Sequence, residues 1–146
     1  MKKLSNAVIY SNKQRFGIMS AGSVSSSTMI LEIKGKSKMN CELKRHLSPK
    51  TVGIILRSIP LDGNAHLMGQ NIVYFETKVN SGVERQKKEF KKGDIAFTPV
   101  GSSICLFTAD VITSKPMTPI GKILTNVDSL KDVKSGDVIS LYQLTG

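Results

Sequence analysis

Residues 93 to 107, Gly-Asp-Ile-Ala-Phe-Thr-Pro-Val-Gly-Ser-Ser-Ile-Cys-Leu-Phe, restrict what this chain can fold into more than any other stretch. Two apolar runs, Ile95 to Thr98 and Ile104 to Phe107, flank a turn built from Pro99, Gly101, Ser102 and Ser103. They read as two buried strands joined tightly. The wider composition agrees: aromatic residues make up 5% of the chain, Trp is absent, and the aliphatic residues are mostly Ile, Val and Leu. Branched side chains suit a pleated sheet, so the core leans towards β.

Alternation extends the pattern upstream. Met29, Leu31 and Ile33 alternate with polar positions, Lys34-Gly35-Lys36-Ser37 supplies a turn, and Met39, Cys41 and Leu43 alternate again, predicting a β-hairpin. Ser48-Pro49 then offers an N-cap and a first-turn proline. Val52, Ile55, Leu56 and Ile59 fall on one helical face, so a helix over about 49–59 is expected, ending at Pro60. Residues 61 to 69, with Asp62-Gly63-Asn64, read as a loop, and Ile72 to Val79 as a strand. The mixed-charge run over 80–92 reads as an exposed excursion. Pro116 and Pro119 argue against a central strand over 110–119, because proline offers no backbone donor. Ile120 to Thr125 and Val138 to Leu144 complete the strands, with Asp128 capping a short helix over about 128–134 and Gly136 ending it. Seven or eight short strands with one main helix bury a core as a sandwich or a closed barrel.

Charge is uneven. Residues 1 to 60 hold 11 Lys and Arg against Glu32 and Glu42, a balance of +9, whereas residues 61 to 146 hold 10 against 9. An N-terminal basic excess can engage nucleic acid, although a solvated basic face is the plainer reading and no RNA motif, zinc finger or recognition helix accompanies it. Residues 1 to 28 contain no acid and the run Ser23-Val24-Ser25-Ser26-Ser27, so they are read as a basic extension before a domain over 29–146; Val8 to Tyr10 and Phe16 to Met19 could pair as a hairpin. No apolar run is long enough for a signal peptide or a membrane span, from which a cytoplasmic protein with no membrane contact is expected. Cys41 and Cys105 stand in apolar alternations, as buried free thiols do.

Four stretches in order carry a resemblance. They are Ile59-Pro60-Leu61 leading to Gly69 and Tyr74-Phe75; Gly93 to Gly101 with Cys105-Leu106-Phe107; Ile120-Gly121-Lys122-Ile123; and Leu130-x-x-Val133-Lys134-x-Gly136-Asp137. Together they resemble the small prokaryotic, archaeal and bacterial, cyclophilin-like family of unknown function, over residues 29 to 144. The resemblance implies a mainly β fold, a closed eight-stranded cyclophilin-like barrel capped by helices. It does not carry over the prolyl isomerase activity of true cyclophilins. Those enzymes use a Phe-x-Arg element after the first helix, and here residues 61 to 68 contain no arginine. Arg57 is nearby but belongs to the predicted helix, and the isomerase Gln and Trp elements are missing. Met68 and Thr98 stand where related sequences place Trp, which alters any inherited pocket.

The groove implied by the fold places His66, Met68, Tyr74, Glu76, Phe97, Thr98, Pro99, Ser102 and Ser103 as ligand candidates. His66 is the residue able to titrate near neutrality there, though a loop histidine without a role is the plainer reading. His46 reads as a local polar contact. Because strand side chains alternate, one of Tyr74 and Phe75 points inward. Two His and two separated Cys fit no metal-ligand spacing, Gly101-Ser102-Ser103 lacks a nucleophile elbow, and Gly35-Lys36-Ser37 lacks the rest of a P-loop, so no metal, cofactor or catalytic residue is assigned. The expected function is a peptide or small-molecule binding module, with a divergent prolyl isomerase and a nucleic-acid-associated protein as alternatives.

Overall fold

The predicted hairpin is present in the structure of the protein, a computed structural model that describes residues 26–143. Strands β1 (Ser26–Ile33) and β2 (Ser37–Lys44) pair along their whole length, with Met29 opposite Cys41 and Leu31 opposite Met39. The turn between them holds Gly35 at φ 78°, a left-handed conformation that glycine adopts without steric cost. The possible hairpin over 8–19, and most of the N-terminal extension, lie outside the described residues.

Helix α1 (Pro49–Ser58) follows, then β3 (Leu61–Met68), β4 (Ile72–Glu76), β5 (Lys87–Phe90), β6 (Asp94–Thr98), β7 (Ser103–Phe107), β8 (Val111–Ile123) and β9 (Val138–Tyr142). Eight of the strands form a closed antiparallel barrel in the order β2-β1-β9-β3-β4-β7-β6-β8. Closure comes from β8 meeting β2, with Cys41 opposite Ile123, Glu42 opposite Lys122 and Leu43 opposite Gly121. Strand β5 stands outside the cycle and pairs with β8 alone. No helix among the described residues is long and apolar enough to cross a membrane.

Besides the charged run over 80–92, which holds strand β5 and the buried Phe90 where an exposed excursion was expected, three segments differ from their sequence reading. Residues 61 to 68 form a strand, because β9 pairs in register with Leu61 to Asn64 and β4 with Ala65 to Met68. Gly63, which read as turn chemistry, is there for close approach: a Cβ at this position would lie 2.7 Å from the Glu76 carbonyl oxygen. The second difference is β8, which runs through both prolines. Opposite Pro116 the pairing jumps from Lys87–Met117 to Glu89–Ile112, and at Pro119 it shifts between Ile95 and Ala96. Both prolines therefore sit at bulges, where a missing donor breaks no regular ladder. The third is the short second helix, which is a 3-10 turn over Val127–Asp132 preceded by Asn126; Asp128 lies inside it and pairs with Lys92 at 2.8 Å.

Helix α1 ends as expected, with the Ile59 N–H donating to the Ile55 carbonyl before Pro60. Its start is built differently. Ser48 makes no side-chain cap, its hydroxyl donating to the Leu47 carbonyl instead. The orphan donors at the helix start are met by Glu84, whose carboxylate accepts from the Lys50 N–H at 3.1 Å and the Thr51 N–H at 2.8 Å. Thus the charged run over 80–92 clips the helix in place. Desolvation raises the Glu84 pKa, but hydrogen bonds from the Thr51 and Lys50 N–H groups and the Thr51 hydroxyl, with the Arg85 charge, outweigh it and hold the carboxyl below its usual range. A depressed folded-state pKa means that the contribution is whole above the unfolded value and is lost as pH falls through the folded one. Glu84→Ala is expected to cost about 1 kcal/mol at pH 7. In urea unfolding, the gap between variant and wild type should narrow on acidification; coincident midpoints at pH 7 would show that the clip contributes nothing.

Two apolar clusters divide the molecule. The larger fills the barrel, where Leu31, Leu43, Phe75, Phe97 and Ile104 are joined by Val52 and Ile55 of α1. The smaller lies on the barrel's outer face and comprises Ile72, Phe90, Ala96, Cys105, Phe107 and Met117, with Tyr74 and Val111 packed against it. Strands β4, β6 and β7 contribute to both. This is why residues 93 to 107 read as continuous apolar runs: inward and outward side chains of these strands are both covered.

Candidate functional site

Alternation along the three doubly covered strands decides which side chains can meet a ligand. Val73, Phe75, Ile95, Phe97, Ile104 and Leu106 point into the barrel, so Ile72, Tyr74, Glu76, Ala96, Thr98, Ser103 and Cys105 face outward. Cross-strand register then sorts the outward residues into rows. Glu76 is opposite Ser103, which is opposite Thr98; Tyr74 is opposite Cys105, which is opposite Ala96; Ile72 is opposite Phe107. A polar row, a mixed row and an apolar row follow one another down the face.

Over this floor rises a wall. β5 and the first half of β8 form a two-stranded flap, fixed to the barrel by Phe90, which stacks on Phe107 with ring centroids 4.5 Å apart. Between the flap and the outer surface of β4 runs a groove of about 500 Å³, with Val111 to Met117 along one side, Met68 and Gly69 at the apolar end, and Val100 and Gly101 at the polar end. Of the six large apolar side chains exposed among the described residues, Met68, Val100 and Ile112 line this groove. Exposed apolar groups gathered at a concave site make this groove the candidate site.

The candidates named from sequence fall into two groups. Met68, Tyr74, Glu76, Thr98 and Ser103 line the groove together. His66 is half-buried beside it on β3, opposite Tyr74 in register and stacked on that ring at 5.2 Å. Phe97 is wholly buried in the barrel interior, so it supports the floor from beneath. Pro99 and Ser102 belong to the adjoining turn, where the Ser102 carbonyl accepts from the Thr77 N–H and hydroxyl. His46 lies away from the groove, its carbonyl accepting from Arg85 at 2.6 Å.

Sequence reading missed the wall. Pro116 and Pro119 argue against a central strand over 110–119, yet the bulge between Ile112 and Met117 is what brings Thr113, Ser114, Lys115 and Pro116 over the groove. The Thr113 hydroxyl donates to the Lys115 carbonyl at 2.6 Å and so helps to hold the bulge. The signal that could have found it is the pair Pro116 and Pro119, read as bulge markers instead of strand breakers. Cys105 was also missed as floor.

Chemically, the groove holds few reactive groups. Burial pushes the thiols of Cys105 and Cys41 up to about 12, so Cys105, wholly buried in the floor of the groove, stays a neutral thiol at physiological pH. The charged lining residues are Glu76 and Lys115, and no arginine stands among the lining residues to donate to a prolyl nitrogen. Among the described residues no group of three or more His, Cys, Asp and Glu is gathered to hold a metal ion.

Comparison with solved structures gives the same architecture. The solution structure of a hypothetical protein from Archaeoglobus fulgidus aligns with a TM-score of 0.70 at 23% identity, covering 82% of this chain and 96% of that one. McbB, solved in complex with tryptophan, aligns with a TM-score of 0.70 at 9% identity over 81% of this chain and 45% of its own. Identities this low show the fold alone. No curated protein matches the sequence. The Cyclophilin-like family, however, matches over residues 28–142, which takes in every strand of the barrel but the first two residues of β1. The chain belongs to the Cyclophilin-like family.

Proposed function

We propose that the protein is a binding module whose occupant, a small molecule or a peptide side chain, lies in the groove between β4 and the β5–β8 flap. The observation that carries this reading is the groove itself: about 500 Å³, lined on both sides by apolar groups, with hydroxyls and one carboxylate gathered at one end. A volume of that order suits a small ligand, and a few placed polar groups on apolar walls are what orient one. A protein of the same fold has been solved with tryptophan, a compound of suitable size and character.

The test is a set of small aromatic fragments titrated into 15N-labelled protein. Shift changes are expected to gather on Ile72, Tyr74, Cys105 and Val111 to Met117. Thr98→Trp, which places a large ring in the groove from its floor, should weaken binding about tenfold or more, corresponding to about 1.4 kcal/mol. Shifts scattered over the surface, or untouched by Thr98→Trp, would remove the reading. A chromogenic prolyl-peptide assay should show no turnover above background; turnover abolished by Thr98→Trp would replace binding with isomerisation.

A further inference from the structure

We infer that the groove selects a molecule carrying a protonated amine beside an aromatic or branched apolar body, the amine meeting Glu76, Ser103 and Thr98 and the body lying over Tyr74 and Cys105. This deepens the binding reading above and rests on it. The argument begins with the floor's polarity. Glu76, Ser103 and Thr98 are cross-strand neighbours in one row, and the row of Ile72 and Phe107 lies four residues further along β4 and β7. At the usual strand rise, that separates polar and apolar ends by roughly 13 Å. The floor is therefore amphipathic along its length, and a ligand that fills it must be so too.

What the polar end offers is acceptors. The Ser103 hydroxyl donates to the Gly101 carbonyl at 3.4 Å, which leaves its lone pairs directed elsewhere. Glu76 contributes carboxylate oxygens, and among the described residues no cation lies within ion-pair distance of them. Both groups converge above Gly101: a Cβ there would sit 2.9 Å from Glu76 Oε2 and 3.2 Å from Ser103 Oγ. Glycine at 101 thus keeps the space in which carboxylate and hydroxyl come together. An ammonium, with three donors and no acceptor, complements such a set; a carboxylate or phosphate does not.

The wider field makes the inference discriminating. The chain carries a net charge of +10, and Lys115 stands on the flap wall of the same groove. Both favour an anion. A preference for a cation can then come only from the local row that holds Glu76.

The probes are tryptamine and indole-3-propionate, which share an indole body and differ in the charge of the side chain. Isothermal titration of the full chain at neutral pH is expected to show tryptamine binding at least tenfold more tightly, with amide shifts at Tyr74, Thr98, Ser103 and Cys105. Glu76→Gln should reduce tryptamine affinity about tenfold, as loss of a charge-assisted hydrogen bond does, and leave indole-3-propionate unchanged or improved. Thermal melting of the variant checks that the exposed substitution leaves the fold intact. Equal or reversed affinities, or tryptamine binding unmoved by Glu76→Gln, would overturn the amine preference while leaving the groove as a binding site. If neither probe shifts a groove residue, the preference and the groove reading fail together.

Discussion

Gly121→Ala is expected to prevent the barrel from closing. A Cβ at this position would overlap the Glu42 carbonyl oxygen and lie 3.0 Å from the Glu42 carbonyl carbon and 3.1 Å from Leu43 Cα. All three atoms belong to the main chain of β2, the strand that β8 must meet to complete the cycle. A crowded side chain can rotate away, but a paired backbone cannot without giving up the register. Overpacking commonly costs 1–3 kcal/mol, and an obstacle made of backbone places this substitution at about 3 kcal/mol or more. That is a large part of the roughly 5–15 kcal/mol by which a domain is stable. Gly82→Ala is the matched control, since nothing lies within 4 Å of a Cβ there. Urea unfolding and soluble yield of the two variants provide the measurement; a Gly121→Ala protein as stable as wild type would mean that the seam can separate without harm.

Phe90→Ala should have a comparably large but local effect. Phe90 is 1% exposed and belongs to the outer cluster, not to the barrel interior. Removing such a ring costs about 3–5 kcal/mol. Because Phe107 and Met117 lose their partner while Phe75, Phe97 and Leu31 keep theirs, the loss is expected to fall on the flap. Amide hydrogen exchange should rise in β5 and the first half of β8 and remain slow in β1, β2 and β9. Groove binding should weaken with it. A uniform rise over the whole chain would show instead that flap and barrel unfold as one unit.

The parts of this fold that were legible in the sequence are those where local chemistry and long-range demand coincide. Strands β1 and β2 alternate because one face is inside the barrel, and Ile95 to Phe97 of β6 and Ile104 to Phe107 of β7 are continuous apolar runs because both faces are covered there. Strand β3 was not legible, since Asp62-Gly63-Asn64 has poor strand propensity and pairs only because β9, far along the chain, lies beside it. The α1 cap was hidden for a similar reason: Glu84 lies 33 residues from Thr51, and no local pattern links them. At the site, alternation on β4, β6 and β7 makes Tyr74, Glu76, Thr98 and Ser103 recognisable as outward-facing floor residues. The wall depends on a bulge whose prolines, taken alone, argue against a strand.

Strand β8 thus performs two tasks in sequence. Its second half is locked between β6 and β2, whereas its first half contacts only β5 along the ladder, and residues 113 to 116 stand between the two outside the ladder, tied by the Thr113 hydroxyl to the Lys88 and Lys115 carbonyls. Chain length can therefore change within those four residues without shifting any hydrogen-bonded pair of the barrel. Shortening the segment would draw the wall in, and lengthening it would let the wall reach further over the floor. The architecture keeps the reach of the wall on a dial separate from the one that governs folding, and a designer wishing to reshape the groove has a defined place to turn it.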